Sequence, residues 1–304
     1  MDLLENKKVF IDETGREFFY VFIHRPKTAK VIVHFSAFFG DWGDRKEYKE
    51  IYQGYFHRLK MFGPEEEYST LFLCDQYGAT KNGTYYLGER GDLFVEKATS
   101  QIIESIFNQN HLSFDQTVMV GSSMGATAAL KFGLKYHVKG IVTVCPHIDL
   151  DICAAKQGRE IHVKYICPDE DIYEEKNFPY TRKVRNMLQE VKKDSPLPVL
   201  FMQSCEDDYG VHFEQVVPYC NLWKEKGGTV FLDARKEGGH TSDFAHKKVL
   251  LNVINTIFSN QKINLKELQS FAYLPEQFKT FSYRFDKKKA KLKSFIKQRI
   301  FKMS

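Results

Sequence analysis

"QTVMVGSSMGATAALKFGLKY" (residues 116–136) divides into an apolar, β-branched run, a Gly-Ser-Ser corner and a helix-forming run. The first part fits a strand buried on both faces, and the last part fits a helix that follows it directly. Within the corner, Gly121-Ser122-Ser123-Met124-Gly125 matches G-x-S-x-G. A nucleophile lifted from a sharp strand-to-helix corner needs small residues two positions before and two after, because larger side chains collide there. Both positions are glycine, so Ser123 is the expected tip and Ser122 falls outside it.

The elements around this corner alternate. Strands are expected over 8–13, 17–23, 30–38 and 69–76 before it, and over 140–146, 198–204 and 229–234 after it. Helices are expected over 43–60, 92–109, 182–193, 213–227 and 242–259. In 92–109, Phe94, Val95, Ile102, Ile103 and Ile106 recur at helical spacing. The alternation implies an α/β protein with a mostly parallel sheet and helices on both faces. Residues 1–260 form the expected main domain, with 150–195 as an insert or lid and 261–304 as a basic, helical extension.

Composition excludes several classes. The 304 residues are 43% hydrophobic and 27% charged, as in ordinary globular chains. No apolar run is long enough to span a bilayer, and "MDLLENKKVFIDE" lacks the pattern of a secretory leader, so a cytoplasmic protein is expected. The 6 cysteines have neither C-x-x-C nor zinc spacing, so free thiols and no metal are expected. The net charge of +5 is drawn partly from "KKKAKLKSFIKQRIFK" (287–302), which does not make a nucleic-acid face. In that stretch Leu292, Phe295, Ile296, Ile300 and Phe301 have helical spacing among lysines, a pattern suited to the inner surface of an anionic membrane.

A serine needs a base, and the base needs an orienting acid. In this type of sheet the acid and base follow the serine in chain order and stand after later strands. His240, after Gly238 and Gly239, is the expected base. His34 and His147 stand earlier in the chain, and His212 follows the acids too closely. Among Glu206, Asp207 and Asp208, Asp207 is preferred because it lies four positions past Gln203; the other two are alternatives. The expected oxyanion donors are the backbone N–H of Met124 and those of Ser36 and Ala37 in "VIVHFSAFFGDW". Thr84, Tyr85, Tyr86 and Phe38 are expected to touch substrate, with the tyrosine rings as flat faces for a sugar. Asp75, Lys81 and Arg90 flank that loop as charged contacts for coenzyme or glycan.

"FSAF" (35–38), "GTYY" (83–86), "GSSMG" (121–125), "EDDY" (206–209) and "GGH" (238–240), in that order, resemble the serine-dependent O-acetyltransferases of bacterial capsule biosynthesis, of the meningococcal serogroup A type. The resemblance covers roughly residues 10–258 as short islands. It implies an α/β-hydrolase fold, with Ser123 as nucleophile, Asp207 as acid and His240 as base. It also implies acetyl-CoA as donor, a capsular or other surface polysaccharide hydroxyl as acceptor, and no permanently bound cofactor. The chain departs from the family at Met124, where a lysine is expected, in its longer 150–195 insert and in its tail. A carboxylesterase or glycan deacetylase with the same triad, and a non-catalytic scaffold of a capsule or export complex, are the alternative readings.

Overall fold

The computed structural model describes residues 3–38, 55–79, 81, 83–166, 196–240 and 243–270. The chain divides into two compact units, Met1–Ile263 and Asn264–Ser304. The helix expected over 182–193, the basic helix at 287–302 and most of the helix expected over 43–60 lie outside the described residues. Among the described residues, no helix is long and apolar enough to cross a membrane.

Eight strands form one sheet: β1 (Lys7–Ile11), β2 (Glu17–Ile23), β3 (Val31–Phe35), β4 (Ser69–Leu73), β5 (Thr117–Ser122), β6 (Gly140–Val144), β7 (Val199–Cys205) and β8 (Val230–Arg235). Their order is β1-β2-β4-β3-β5-β6-β7-β8. The β1–β2 and β2–β4 pairs are antiparallel; every later pair is parallel. β3, β4, β5 and β6 are buried along their whole length, which explains their continuous apolar sequences. At one edge, β1 is largely exposed and begins with Lys7 and Lys8, charges that discourage further strand pairing.

The helices are α1 (Leu59–Phe62), α2 (Phe94–Gln109), α3 (Met124–Lys135), α4 (Leu150–Lys156), α5 (Glu160–Ile166), α6 (Val217–Glu225) and α7 (Lys247–Phe258). The apolar stripe of α2 buries Phe94, Val95, Ile102, Ile103 and Ile106, each contributing about 1.5–3 kcal/mol by leaving water. α3 is buried over most of its surface, and its Phe132 ring stacks on Phe35 of β3 at 5.4 Å. A helical turn (Tyr209–Val211) and a π-helical stretch (His212–Val216) precede α6. Pro218 has no N–H to give to the carbonyl four residues back, which favours the wider winding ahead of it. In the widened stretch, the Gln215 Oε1 accepts from the N–H groups of Ile148 (2.7 Å) and Asp149 (2.9 Å), and its Nε2 donates to Gly210 O.

The registers align Phe35 with Gly121, Ser122 with Val144 and Cys205 with Arg235, so these strand ends share one edge of the sheet. The β5–α3 corner stands there, as expected for ligand sites in such sheets. Its glycines are fixed by contact. A Cβ on Gly121 would lie 2.0 Å from Gly125 O, and one on Gly125 would lie 2.3 Å from Phe35 O. Gly121→Ala is therefore expected to lower unfolding free energy by about 1–3 kcal/mol. Urea denaturation checks this, and an unchanged midpoint would contradict the packing described.

Candidate active site

Ser123 has φ 51° and ψ −120°, a conformation that costs about 1–3 kcal/mol unless its surroundings enforce it. They do. Ser123 N–H donates to Val144 O at 2.9 Å, and Ser123 O accepts from Ala126 N at 3.0 Å. The adjacent Ser122 hydroxyl is buried and takes a hydrogen bond from Arg58 Nη1 at 2.7 Å. Of the two, it is Ser123 that meets an imidazole: its Oγ is 2.9 Å from His240 Nε2.

His240 Nδ1 lies 2.9 Å from Asp208 Oδ2. With Asp208 ionised, Nδ1–H donates to the carboxylate and Nε2 is left to accept from Ser123 Oγ–H. Asp207, the acid preferred from sequence, is elsewhere. Its two oxygens accept from the N–H groups of Gly238 (2.9 Å) and Gly239 (2.8 Å). The correction is one of register. β7 runs to Cys205, and Glu206 N–H still pairs with Arg235 O, so the turn toward the histidine comes one residue later than counting from Gln203 suggests. Glu206 is exposed. Asp207 instead clamps the glycine turn that delivers His240. In that turn Gly239 has φ 65°, and a Cβ on Gly238 would strike Phe244 at 2.4 Å.

His147 was set aside in the sequence because it follows the serine too soon, yet its ring stacks on His240 with centroids 4.7 Å apart. Its Nδ1 is 3.0 Å from Tyr85 Oη. Burial holds the His147 pKa well below the usual histidine range, and the His240 and Arg159 charges add to this. Its position just past the end of β6, on the same sheet edge, was the available signal. Buried His34 and half-buried His57 form another pair, 5.6 Å apart and edge-on, beside Arg58. Burial lowers His34 well below its usual value and His57 to about 3, with Arg58 adding to both. Burial also lowers Arg58 to about 10. His212 Nδ1 is 2.8 Å from Ser204 Oγ, inside the core.

Met124 is the first residue of α3, so its N–H has no partner within the helix. The second expected donor divides. Ser36 N–H is engaged with Leu73 O at 3.0 Å, and Ser36 Oγ donates to Tyr55 O, so Ser36 is corrected from donor to support. Ala37 follows the strand, and its N–H carries no hydrogen bond among the described residues.

The substrate contacts expected from the 83–86 segment need correction. Thr84, Tyr85 and Tyr86 are 0%, 1% and 0% exposed, which leaves no ring face for a sugar. Asp75 is equally structural. Its carboxylate accepts from Thr84 N, Thr84 Oγ1, Tyr86 N and Tyr77 N, and these bonds oppose the pKa rise that burial causes. Tyr86 Oη donates to Ser36 O (3.2 Å) and Leu73 O (3.1 Å), bracing the loop that carries Ala37. Arg90 is exposed beside Glu89, and Lys81 N closes a turn onto Gly78 O. Phe38 stays partly exposed, with its ring against His162 at 4.4 Å and beneath the Arg159 guanidinium at 4.5 Å. Among the described residues, no group of His, Cys, Asp and Glu is arranged to hold a metal, and Cys74, Cys145, Cys153, Cys205 and Cys220 are free thiols. A hollow of about 630 Å³ beside His24, Arg25 and Pro64 lies past the end of β2, at the opposite sheet edge from Ser123.

The sheet order, the strained serine corner and the later histidine define an α/β-hydrolase fold. Among solved structures, the chain is similar to the capsule O-acetyltransferase of Neisseria meningitidis serogroup A, at 20% identity and TM-score 0.62, over 83% of this chain and 99% of that one. A histidine-to-alanine mutant of that protein in complex with CoA matches at 18% identity and TM-score 0.63, over 83% and 96%. The acylaminoacyl peptidase of Pyrococcus horikoshii matches at 14% identity and TM-score 0.60, over 86% of this chain and 44% of that one. No protein-family model matches the chain, and no curated protein sequence does.

Two outcomes follow from this geometry. Asp208→Asn is expected to lower turnover of an aryl acetate by about 10³- to 10⁴-fold, since the imidazole loses its orienting charge. Asp207→Asn loosens the glycine turn and is expected to lower it about 10- to 100-fold. The opposite ranking would return the acid role to Asp207. The second outcome concerns acid stability. His34, His57 and His147 stay neutral when folded, whereas the unfolded chain binds their protons below the ordinary histidine value of about 6.5. Their stabilisation is present above that value and lost as pH falls toward the depressed folded values, by about 1.4 kcal/mol per pH unit for each neutral buried ring. Urea midpoints from about pH 7 to about pH 5 are expected to fall steeply. A flat profile would rule out neutral burial.

Proposed function

We propose that the protein is a serine-dependent O-acetyltransferase that moves acetyl from acetyl-CoA to a hydroxyl of a capsular or other surface polysaccharide. The observation that carries this reading is the continuous path Asp208–His240–Ser123, with both contacts at 2.9 Å. His240 Nε2 takes the Ser123 proton while Oγ attacks the thioester carbonyl. The tetrahedral oxyanion is held by the N–H groups of Met124 and Ala37, each worth about 10²- to 10³-fold in turnover. The carbon–sulfur bond breaks, His240 returns its proton to the leaving thiolate, and acetyl-Ser123 remains. A bound sugar hydroxyl then gives its proton to His240 and attacks the acetyl carbonyl; the bond from Oγ to the acetyl carbon breaks, and His240 returns that proton to Ser123 Oγ. Asp208 keeps Nδ1 protonated and supports the imidazolium in both halves.

The likeness to a capsule O-acetyltransferase and to its CoA complex supports donor and acceptor class. In this reading residues 1–260 are the catalytic domain and 261–304 a basic extension that meets the inner membrane surface or assembly machinery from the cytoplasmic side. Of the 150–195 insert, the described part, α4 and α5, supports the site: Gln157 Nε2 donates to Asp208 Oδ1 at 3.3 Å. Hydrolysis is the second reading, favoured by the 28% exposure of the His240 side chain, which lets water reach the base.

Mass spectrometry after brief exposure to acetyl-CoA is expected to find one acetyl group on Ser123 and none in Ser123→Ala. Turnover of the acyl-enzyme by oligosaccharide faster than by water supports transfer. Indifference to every glycan tried indicates an esterase. No adduct from acetyl-CoA would overturn the donor.

A further inference from the structure

Arg159 stands between α4 and α5 with its backbone pinned on both sides. Its N–H donates to Cys153 O at 3.1 Å, and its carbonyl accepts from His162 N (3.1 Å) and Val163 N (3.0 Å). Its guanidinium lies 4.5 Å from the centre of the Phe38 ring. Phe38 follows Ala37, an oxyanion donor in the proposed reaction. The Arg159 charge is felt at His147, the ring stacked on His240. The guanidinium is thus fixed beside the catalytic corner.

Among the described residues it has no counter-ion. Arg16 pairs with Asp92 at 3.2 Å, Arg235 with Asp233 at 2.9 Å and Arg90 with Glu89 at 3.9 Å; Arg25 donates to Gly63 O and Arg58 to Ser122 Oγ. Among the described residues the Arg159 guanidinium has neither hydrogen bond nor ion pair, and its Nε is buried without a partner. A half-buried planar fork of N–H donors resting on an aromatic ring suits bidentate capture of a carboxylate or phosphate. The place of the anion follows from connectivity. CoA carries its phosphates at the far end of the pantetheine arm, many bonds from the thioester. A sugar carries its reacting hydroxyl and an acidic substituent on one ring or across one linkage.

We propose that Arg159 is an acceptor-specificity residue that binds an acidic substituent, carboxylate or phosphate, of the sugar presented to Ser123. This rests on the acetyl-transfer reading for the word acceptor, but its test does not need acetyl transfer. Ligand-observed NMR titrations of the full chain with glucose 1-phosphate, glucuronate and glucose read binding directly. At least one acidic sugar is expected to bind about 10- to 100-fold more tightly than glucose, with salt weakening the difference. Arg159→Gln is expected to abolish that preference, and Arg159→Lys to keep part of it. Equal binding of all three sugars by the wild type overturns the proposal, as does a preference that survives in Arg159→Gln. A fourth titration, with CoA, separates the sources. If Arg159→Gln weakens only CoA binding, the guanidinium belongs to the donor and the proposal fails. If acetyl-CoA never acylates Ser123 while the acidic-sugar preference depends on Arg159, the donor reading fails and the acidic-sugar site stands.

Discussion

The hydrogen bond from Ser123 N–H to Val144 O holds a residue other than glycine in a conformation that side chains avoid. The site depends on it. It ties the serine corner to β6, while the glycine contacts press the start of α3 against Gly121 and against the carbonyls of Phe35 and Ser36. Three neighbouring strand ends are thereby joined, and the Ala37 loop is placed relative to Met124. In the proposed reaction, the Ser123 hydroxyl, the His240 imidazole and the Met124 and Ala37 N–H groups would then need little movement to act together, which is how positioned groups gain effective concentration.

Around this corner lie polar groups that a stability argument alone would not place there. Arg58 and His34 are buried, and His57 is close to it. Their neutralisation or partial satisfaction is costly in a low-dielectric interior. Arg58 offsets part of that cost by donating to Ser122, the residue next to the nucleophile. The result keeps Ser122 occupied, so one hydroxyl of the pair is left for His240.

Legibility in the sequence followed locality. Ser123 could be read because the steric need for glycine on either side leaves a mark within five residues. His240 could be read from its paired glycines, and the strand–helix alternation from periodicity. The acid could not be separated, because choosing between Asp207 and Asp208 requires knowing that Glu206 still pairs with β8. Tyr85 and Tyr86 looked like surface aromatics in a turn-rich loop; the buried Asp75 that folds that loop inward acts across nine and eleven positions. Ser36 resembled its neighbour Ala37 until β4 claimed its N–H. Arg58 reaches the corner through tertiary packing alone, with no spacing signal to announce it, and His147 is announced only by its place just past the end of β6.

The π-helical stretch ahead of α6 has a mechanical meaning. Its extra width lets Gln215 reach the segment after β6, where it grips Ile148 and Asp149 just beyond the imidazole that lies flat against the base. Pro218, at the start of α6, follows that stretch directly. Helical winding and loop anchorage are thereby linked, through one amide, to the segment that carries the ring stacked on His240.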